Sequence, residues 1–305
     1  METVKSFGQP LIILNPAANR GHMQHYRAVI RPRVEQEQGE YVETACQGEA
    51  KERAMQAAQL GRPVVVVGGD GTVHEAVNGI LASGRHVPLG IVGAGSGNDF
   101  AWNALKLPHE PTEALERALH GRLVAVDAGM VNGCYFANAF SVGLDADIGA
   151  AATALKKYPL MSGERLYYTA SLRQLLFGYQ HCPWLTCTVD GVNILAEQTE
   201  CHCVLLAVSN GPTYGAGFRI NPSADYTDGL FDICQIDYVP LVRALQLLPR
   251  VQRGEHTHLP MVHFHRGSSV TIESRETLHI QMDGEISRAT RFEGHMLPGA
   301  LLVRV

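Results

Sequence analysis

A chain of 305 residues with 46% hydrophobic residues can bury a sizeable core, and at this length we expect two domains rather than one. Its formal net charge of −5 excludes the basic footprint that nucleic-acid binding needs. The seven cysteines form no Cys-x-x-Cys pair, which favours a reducing, cytoplasmic location without a disulfide framework. No apolar run reaches membrane-spanning length, and the first residues lack the apolar stretch of a signal peptide. We therefore expect a soluble protein that can still touch a membrane surface.

The first part of the chain alternates between predicted strands and predicted helices. Residues 11–14 form a short apolar strand that ends in the turn-rich loop 15–21, and a helix is expected over 22–38. A second strand and helix follow over 41–46 and 49–60. Residues 64–67 are four consecutive valines, a pattern typical of a strand buried on both faces. This alternation predicts a doubly wound, mostly parallel sheet.

The turn after the valine strand reads Gly-Gly-Asp-Gly-Thr over residues 68–72. Thr72, followed three residues later by Glu75, has the spacing of a capping box, which predicts that a helix begins at Thr72. A strand, a glycine turn and a helix N-terminus together suit an anionic phosphate. Asp70 would repel phosphate unless a cation lay between them, so the predicted ligand is a metal-chelated nucleotide. The alternative is a plain tight turn with an exposed acid.

A third loop of this kind follows the fourth predicted strand, residues 89–92. It reads Gly-Ala-Gly-Ser-Gly-Asn-Asp over 93–99 and precedes a helical stretch over 100–105. In doubly wound sheets, ligands bind at the carboxyl ends of the strands. The loops after strands one, three and four all carry suitable residues there, so we expect them to converge on one ligand site.

The pattern changes after a predicted helix over 111–121. Asp190-Gly191 is a favoured two-residue hairpin turn, and helices are expected near 146–157, 163–179 and 239–253. A second, largely antiparallel β domain is therefore predicted, with a ligand cleft between the domains. Its strands are expected over residues 123–131, 135–142, 184–189, 193–196, 202–208, 230–236, 262–264, 269–273 and 278–282, and at the end of the chain.

These motifs resemble the diacylglycerol kinase catalytic-domain family, which includes sphingosine and ceramide kinases and soluble bacterial lipid kinases. Gly-Gly-Asp-Gly-Thr alone is not specific, because NAD kinases and phosphofructokinases share it. The resemblance covers essentially the whole chain. It rests on residues 68–72 with His74, Glu75 and Asn78-Gly79, on Asn15-Pro16, Thr44 with Gly48 and Ala50, Gly-Ser-Gly-Asn-Asp at 95–99, Asn210-Gly211, residues 222–225 and 228–232, and Asp-Gly-Glu at 283–285.

The resemblance implies a phosphofructokinase-like α/β domain that binds ATP, over residues 1–125, to which the segment 294–305 returns. It implies a β-sandwich domain for the lipid substrate over residues 126–293. The implied activity is ATP-dependent phosphorylation of a lipid hydroxyl, with diacylglycerol as the favoured acceptor and phosphatidic acid as the product. The partners expected are ATP, Mg²⁺ and a lipid substrate at a membrane surface, with a homodimer left open.

The resemblance also implies roles for single residues. Asp283 would be the general base, and Asp70 and Asp99, with Asp127 as a further candidate, would hold the catalytic Mg²⁺. The side chains of Asp225 and Asp228 and the carbonyl of Leu230 resemble a structural Mg²⁺ site in the second domain. His74 would face the nucleotide through its backbone. The residues expected to contact the nucleotide are Asn15, Thr44, Gly68, Gly69, Asp70, Gly71, Thr72, Val73, His74, Gly95, Ser96, Asn98 and Glu285.

Plainer interpretations stay open for several of these features. Asp283-Gly284 is also simply a favoured turn pair, and Asp127, inside a predicted strand, could be a satisfied buried acid. The first loop reads Ala-Asn-Arg over 18–20, where relatives carry Ser-Gly-Lys, so its phosphate contacts are undecided. Residues 156–177 mix basic and large apolar side chains, which suits either an anionic lipid surface or an ordinary amphipathic helix.

Two other functions are compatible with a glycine-rich nucleotide loop. A nucleotide kinase of the NAD-kinase type is disfavoured, because those enzymes carry Gly-x-Leu-Gly-Phe where this chain has Gly-Ser-Gly-Asn-Asp over 95–99. A nucleotide-binding regulator without catalysis is disfavoured because Asp70, Asp99 and Asp283 are all present.

Overall fold

The computed structural model describes residues 7–95, 97–155, 169–194, 201–215 and 217–305. Its first part is a parallel sheet in the strand order β2-β1-β3-β4. Short 3₁₀ and π-helical turns cover Ala18–Gly21 and Asp99–Ala104. The regular elements are β1 (Leu11–Leu14), α1 (Gln24–Gln36), β2 (Glu40–Glu43), α2 (Glu49–Gln59), β3 (Val64–Gly68), α3 (Asp70–Ala82), β4 (Pro88–Gly93) and α4 (Pro111–His120).

Helices cover both faces of this sheet. Ile13 and Val66 pack with α2 and α3, whereas Ile12 and Val65 pack on the other face with α1 and α4. The alternation of side chains along each strand explains why neighbouring residues enter different cores. The doubly wound, mostly parallel sheet is therefore confirmed, while the phosphofructokinase-like classification stays a prediction.

The second part of the chain is largely antiparallel and β-rich. Strands β7 and β8 both pair with β10 and with β13, so the strands enclose a common apolar core. Asp190-Gly191 forms the expected hairpin turn between β8 and β9. The elements are β5 (Leu123–Val131), β6 (Cys134–Phe136), β7 (Ala139–Gly143), α5 (Leu144–Leu155), β8 (Trp184–Val189), β9 (Val192–Asn193), β10 (Cys201–Ser209), β11 (Phe231–Asp237), α6 (Leu241–Arg253), β12 (Val262–Gly267), β13 (Ser269–Met282) and β14 (Glu285–Arg304).

Some predicted elements differ from the observed ones. The strand expected over 135–142 is divided into β6 and β7 at Ala137 and Asn138, while 269–273 and 278–282 belong to the single strand β13 with a register shift between them. Of the helix expected over 163–179, residues 169–173 are helical and a π-helical turn covers Gln174–Gly178, followed by a 3₁₀ turn over Tyr179–His181. Residues 156–168 and 195–200 lie outside the described residues.

Strand β14 connects the two parts of the molecule. It pairs with β13 and β5, and its Leu302 and Val303 pair in parallel with Pro88 and Leu89 of β4. The predicted domain boundary at 125/126 falls inside β5, which itself pairs with β14 along most of its length. Among the described helices, none has the length and apolar character needed to cross a bilayer.

Candidate active site at the strand ends

The loops after β1, β3 and β4 meet at one edge of the parallel sheet. The side-chain amide of Asn15 donates to the hydroxyl of Thr72 at 3.0 Å, which joins the first loop to α3. The backbone N–H of Asn98 donates to the carboxylate of Asp70 at 2.8 Å, which joins the third loop to the second. Three segments far apart in the chain thus converge, as their position at the carboxyl ends of parallel strands predicts.

Two glycines bring the second and third loops into backbone contact. A Cβ added at Gly95 would lie 2.5 Å from the Cα of Gly69, and one added at Gly69 would lie 3.0 Å from the Cα of Gly95. The Asn98 side chain holds the third loop, since it accepts from the N–H of Gly95 and donates to its carbonyl. This crossing excludes side chains and leaves a cradle of backbone, as phosphate-binding loops require. Ser96 lies outside the described residues.

The predicted capping box is wrong. Helix α3 begins at Asp70, with Gly69 as its N-cap, rather than at Thr72. The carboxylate of Glu75 accepts from the N–H groups of Gly48 (2.8 Å) and Ala50 (3.1 Å), so it caps α2 instead of its own helix. The positive end of the α3 dipole therefore lies at Asp70, inside the glycine turn.

The other residues predicted to contact the nucleotide lie around this turn, and their burial differs. Thr44 follows β2 and donates its N–H to the carbonyl of Leu14, which places it beside Asn15. Val73 is buried in the core beneath the turn, so its side chain does not face the site. Glu285 reaches the turn from the second domain: it accepts from the Gln47 amide at 3.2 Å, and a Cβ added at Gly71 would lie 3.5 Å from it.

Three acids predicted to be catalytic come together here. Burial raises the pKa of Asp70 to about 6, and the charges of Asp99 and Asp283 add to the shift. Asp99 is buried, and its carboxylate accepts from the side-chain amide of Asn103 (2.9 Å) and from the N–H of Gly217 (2.7 Å). Mutually repelling carboxylates at the positive end of a helix and beside a glycine cradle are suited to a cation shared with phosphate.

The donor set fits Mg²⁺ in one of its usual modes. In the described part of the chain, no three His, Cys, Asp or Glu side chains lie close enough to hold an ion by themselves. Mg²⁺ is commonly bound through one or two carboxylates, with phosphate oxygens and waters as the remaining ligands. Asp70 and Asp99 match that mode, which needs the nucleotide to complete the site.

Asp283 lies in the two-residue turn between β13 and β14, where Asp283 and Gly284 both have positive φ. Its side chain is only 7% exposed. The carboxylate accepts from the N–H groups of Ala137 (2.8 Å), Asn138 (3.2 Å) and Ala139 (3.0 Å). These donors lie at the break between β6 and β7, so the interruption of the predicted strand frees backbone N–H groups to bind Asp283.

The role predicted for His74 is confined to its backbone, but its buried side chain faces Asp283. The Nδ1 atom lies 3.7 Å from Oδ2 of Asp283, an ion-pair distance, and has no hydrogen-bond partner among the described residues. Burial alone lowers the pKa of His74, but the facing carboxylate outweighs burial and raises the pKa to about 10. The sequence signal was its position one turn after Asp70 on the same face of α3.

An apolar cavity of about 310 Å³ adjoins the His74–Asp283 pair. His74 and Glu285 contribute to its wall, and Met282 lies immediately before Asp283. The other apolar side chains of the wall are Val131, Ile280, Ile286, Ala289 and Phe292, and Asn132, Cys134, Ser287 and Arg288 complete it. A ligand with an apolar body and a polar end would fit this combination.

The acids of the second-domain signature have other partners. Asp228 pairs with Arg266, which also lies 3.3 Å from Asp232, and Asp225 accepts from the N–H and hydroxyl of Thr227. Arg266 thus already pairs with two of the three acids, and Asp228 also accepts from the N–H of Leu230. The Asp225, Asp228 and Leu230 metal set stays a prediction, and the position of Arg266 argues against it.

Asp127 is a satisfied buried acid, the plainer of its two interpretations. Its carboxylate accepts from the N–H of Gly229 at 2.7 Å and of Gly299 at 2.6 Å, and its carbonyl accepts from the side chain of Asn210. Asp127 therefore fastens the 228–229 turn to β14, and both carboxylate oxygens are used in doing so.

Comparisons with known proteins cover both parts of the chain. The diacylglycerol kinase catalytic domain model matches residues 9–131, and the YegS C-terminal NAD kinase beta sandwich-like domain model matches residues 138–305. The chain is 27% identical over 292 residues to "Diacylglycerol kinase" of Bacillus subtilis (94% of this chain, 91% of the relative). It is 32% identical over 265 residues to "Probable lipid kinase YegS-like" of Chromohalobacter salexigens (83% and 79%). A crystal structure of a diacylglycerol kinase from Bacillus anthracis shares the fold, with a TM-score of 0.72 at 21% identity, covering 98% and 97% of the two chains.

Proposed function

Because the chain belongs to the lipid kinase family that carries the diacylglycerol kinase catalytic domain, we propose that it transfers the γ-phosphoryl group of ATP to the hydroxyl of diacylglycerol. The product would be phosphatidic acid. The observation that carries the proposal is the convergence of Asp70, Asp99 and Asp283 beside a glycine cradle and an apolar cavity. That arrangement offers a site for each of the two substrates and acids between them.

The glycine loops receive the nucleotide in this proposal. The crossing of Gly69 and Gly95 lets phosphate oxygens approach the backbone, and the N-terminus of α3 favours their negative charge. Asp70 and Asp99 would hold Mg²⁺, which neutralises charge on the phosphate oxygens when bound. Asn15 and Asn98 keep the loops in place through Thr72 and Gly95.

Asp283 orients the acceptor hydroxyl and takes its proton. Three backbone N–H groups fix the orientation of this carboxylate. Phosphoryl transfer passes through a loose transition state in most analyses, so the demand on the base is mainly one of position. His74 lies behind Asp283 and keeps positive charge beside it.

The apolar cavity supports a lipid acceptor over a polar one. The apolar side of its wall, with Val131, Ile280 and Phe292, suits an acyl chain and offers no hydrogen-bond partner to the sugars of NAD, although Asn132, Ser287 and Arg288 also line the cavity. An acyl-bearing alcohol buries its chain there and presents its hydroxyl toward Asp283. Diacylglycerol has this chemistry, and it is the substrate in the name of the Bacillus subtilis relative.

The test is transfer of labelled phosphate from ATP, in the presence of Mg²⁺, to diacylglycerol, sphingosine, ceramide and NAD, with the lipids in mixed micelles. We expect labelled phosphatidic acid, and a loss of that label in Asp283→Asn. Preferential labelling of another lipid would show that this lipid is the acceptor, and the proposed reaction type would still hold. Label on NAD would show that the acceptor is a nucleotide and not a lipid. ATP binding without any transfer would favour a nucleotide-binding regulator.

A further inference from the structure

Exposed apolar side chains are concentrated in two short segments of the second domain. Ten large hydrophobic side chains are exposed among the described residues, and seven of them lie in residues 172–184 and in α6. They include Val242 at 70%, Phe177 at 69% and Trp184 at 55% exposure, and the others are Leu172, Leu176, Leu245 and Leu248. Single exposed apolar residues are ordinary, but a concentration of them marks an interaction surface.

The two segments lie next to each other. The hydroxyl of Tyr179 donates to the carbonyl of Val239 at 2.6 Å, and its ring lies 5.4 Å from that of Tyr238, three residues before α6 begins. Trp184 stacks on His202, which in turn stacks on Tyr238. Aromatic contacts therefore join both segments into one surface, which we call the leucine–arginine face.

Helix α6 has more apolar residues than its packing uses. Leu247 and Val251 are buried against the domain, together with the partly buried Leu241 and Ala244. Val242, Leu245 and Leu248 extend this apolar stripe outward, onto the flank of the helix that nothing in the described structure covers. An amphipathic helix with an apolar flank wider than its protein contact can enter the boundary of a bilayer.

The charge of the face is basic, in contrast to the whole chain. Residues 172–184 and 241–253 contain Arg173, Arg243, Arg250 and Arg253 and no acidic residue, whereas the chain has a net charge of −5. All four arginines are exposed, and Arg253 pairs with Glu255 just beyond α6. Basic side chains around exposed apolar ones are attracted to the negative surface of an anionic bilayer. A second copy of this chain would bring the same arginines against themselves in a two-fold interface.

The face is connected to the acid cluster by a short stretch of chain. The N–H of Arg219 donates to the carbonyl of Gln252 in α6, and two residues earlier the N–H of Gly217 donates to Asp99. A bilayer on the face would therefore lie near the elements that surround the acids.

We infer that the leucine–arginine face docks on an anionic bilayer, with the apolar side chains among the headgroups and the arginines against lipid phosphates. The reason for docking rests on the proposed lipid substrate, but the docking itself needs neither nucleotide nor turnover. It is measured by co-sedimentation, without ATP, with vesicles of phosphatidylcholine containing phosphatidylglycerol and with vesicles of phosphatidylcholine alone.

We expect the wild-type protein to sediment with the anionic vesicles and less with the neutral ones. The triple variant Val242→Gln/Leu245→Gln/Leu248→Gln should lose about tenfold or more of its partitioning, because it removes apolar area that enters the bilayer. Arg243→Gln/Arg250→Gln should lose the preference for anionic lipid. The control is Leu60→Gln/Val192→Gln, which changes two highly exposed apolar residues elsewhere and should bind as the wild type does.

The inference is overturned if the wild-type protein stays in the supernatant, or if the triple variant and the Leu60/Val192 control bind equally. It is also overturned if the triple variant turns a dimer into a monomer by light scattering while vesicle binding is absent. Circular dichroism establishes that each variant is folded. Activity on a short-chain diacylglycerol below its aggregation limit separates the two proposals. Docking without transfer to any lipid contradicts the proposed function alone. Transfer without docking contradicts the proposed membrane contact alone.

Discussion

The imidazole of His74 and the carboxylate of Asp283 face each other at 3.7 Å, across the junction between the α/β part and the β-rich part. They belong to α3 and to the turn after β13, which are more than two hundred residues apart in the chain. Because the carboxylate raises the pKa of His74 to about 10, the imidazole is positively charged at neutral pH. This contact fixes the position of the proposed base relative to the nucleotide turn.

Replacing His74 by Asn should slow transfer by about tenfold, because the proposed base loses its charged neighbour. The loss should fall on kcat rather than on the KM for ATP. The double variant with Asp283→Asn should be no slower than Asp283→Asn alone, since His74 acts through Asp283. A double variant whose loss of activity equals the sum of the two single losses, in free energy, would contradict this coupling.

The same pair makes the free energy of unfolding dependent on pH. The folded-state pKa of His74, about 10, lies above its ordinary value of 6.5, so the protonated ring stabilises the fold fully below pH 6.5. That contribution decreases as the pH rises toward 10. Urea unfolding of the wild type and His74→Asn across this range should show a stability difference that shrinks at alkaline pH. A difference that grows with pH would show that the ring is neutral in the fold.

Replacing Asp283 by Asn should reduce turnover by about 10²- to 10⁴-fold and leave Mg·ATP binding unchanged. The matched control is Asp190→Asn, since Asp190 occupies the same place in the other Asp-Gly hairpin turn and its carboxylate also accepts backbone N–H groups. Full activity in Asp283→Asn, or an equal loss in the Asp190 control, would remove the assignment.

Replacing Asp70 by Asn should abolish transfer and yet stabilise the protein in the absence of ligand. The folded-state pKa of Asp70, about 6, lies above its ordinary value of 3.8, so the buried carboxylate costs stability above pH 6, and this cost vanishes below about pH 4. The gain in Asp70→Asn should be at most about 3 kcal/mol at pH 7.5, since each pKa unit corresponds to about 1.4 kcal/mol. Thermal melts with ATP should show extra stabilisation by Mg²⁺ only in the wild type.

Replacing Glu75 by Gln should destabilise the fold by about 1 kcal/mol, because the charge-assisted cap on the N–H groups of Gly48 and Ala50 is weakened. The matched control is Glu52→Gln, which changes an exposed acid in the first turn of α2, the helix that Glu75 caps. Urea unfolding of both variants is the measurement, and a similar small effect in both would mean that Glu75 contributes only to the helix dipole.

The local patterns predicted the elements and which loops would meet, because strand direction and glycine spacing are local properties. Glu75 shows where that reasoning stops: its spacing suggested a partner three residues away, but its real partners lie 25 and 27 residues upstream. The donors to Asp283 were equally hidden, since Ala137–Ala139 reach it only through the pairing of β7 with β13. Arg266 carried no local signal that would have placed it against Asp228 and Asp232.

Strand β14 has a consequence for the order in which a nascent chain can fold. Leu302 and Val303 pair with β4, so the sheet that carries the nucleotide loops lacks its neighbour beside β4 until the chain has been synthesised as far as these two residues. Up to that point, β4 presents an unpaired edge to other chains on the ribosome or in solution. The loops that meet at Asp70 can form early, but the sheet beneath them is completed by residues more than two hundred positions after β4.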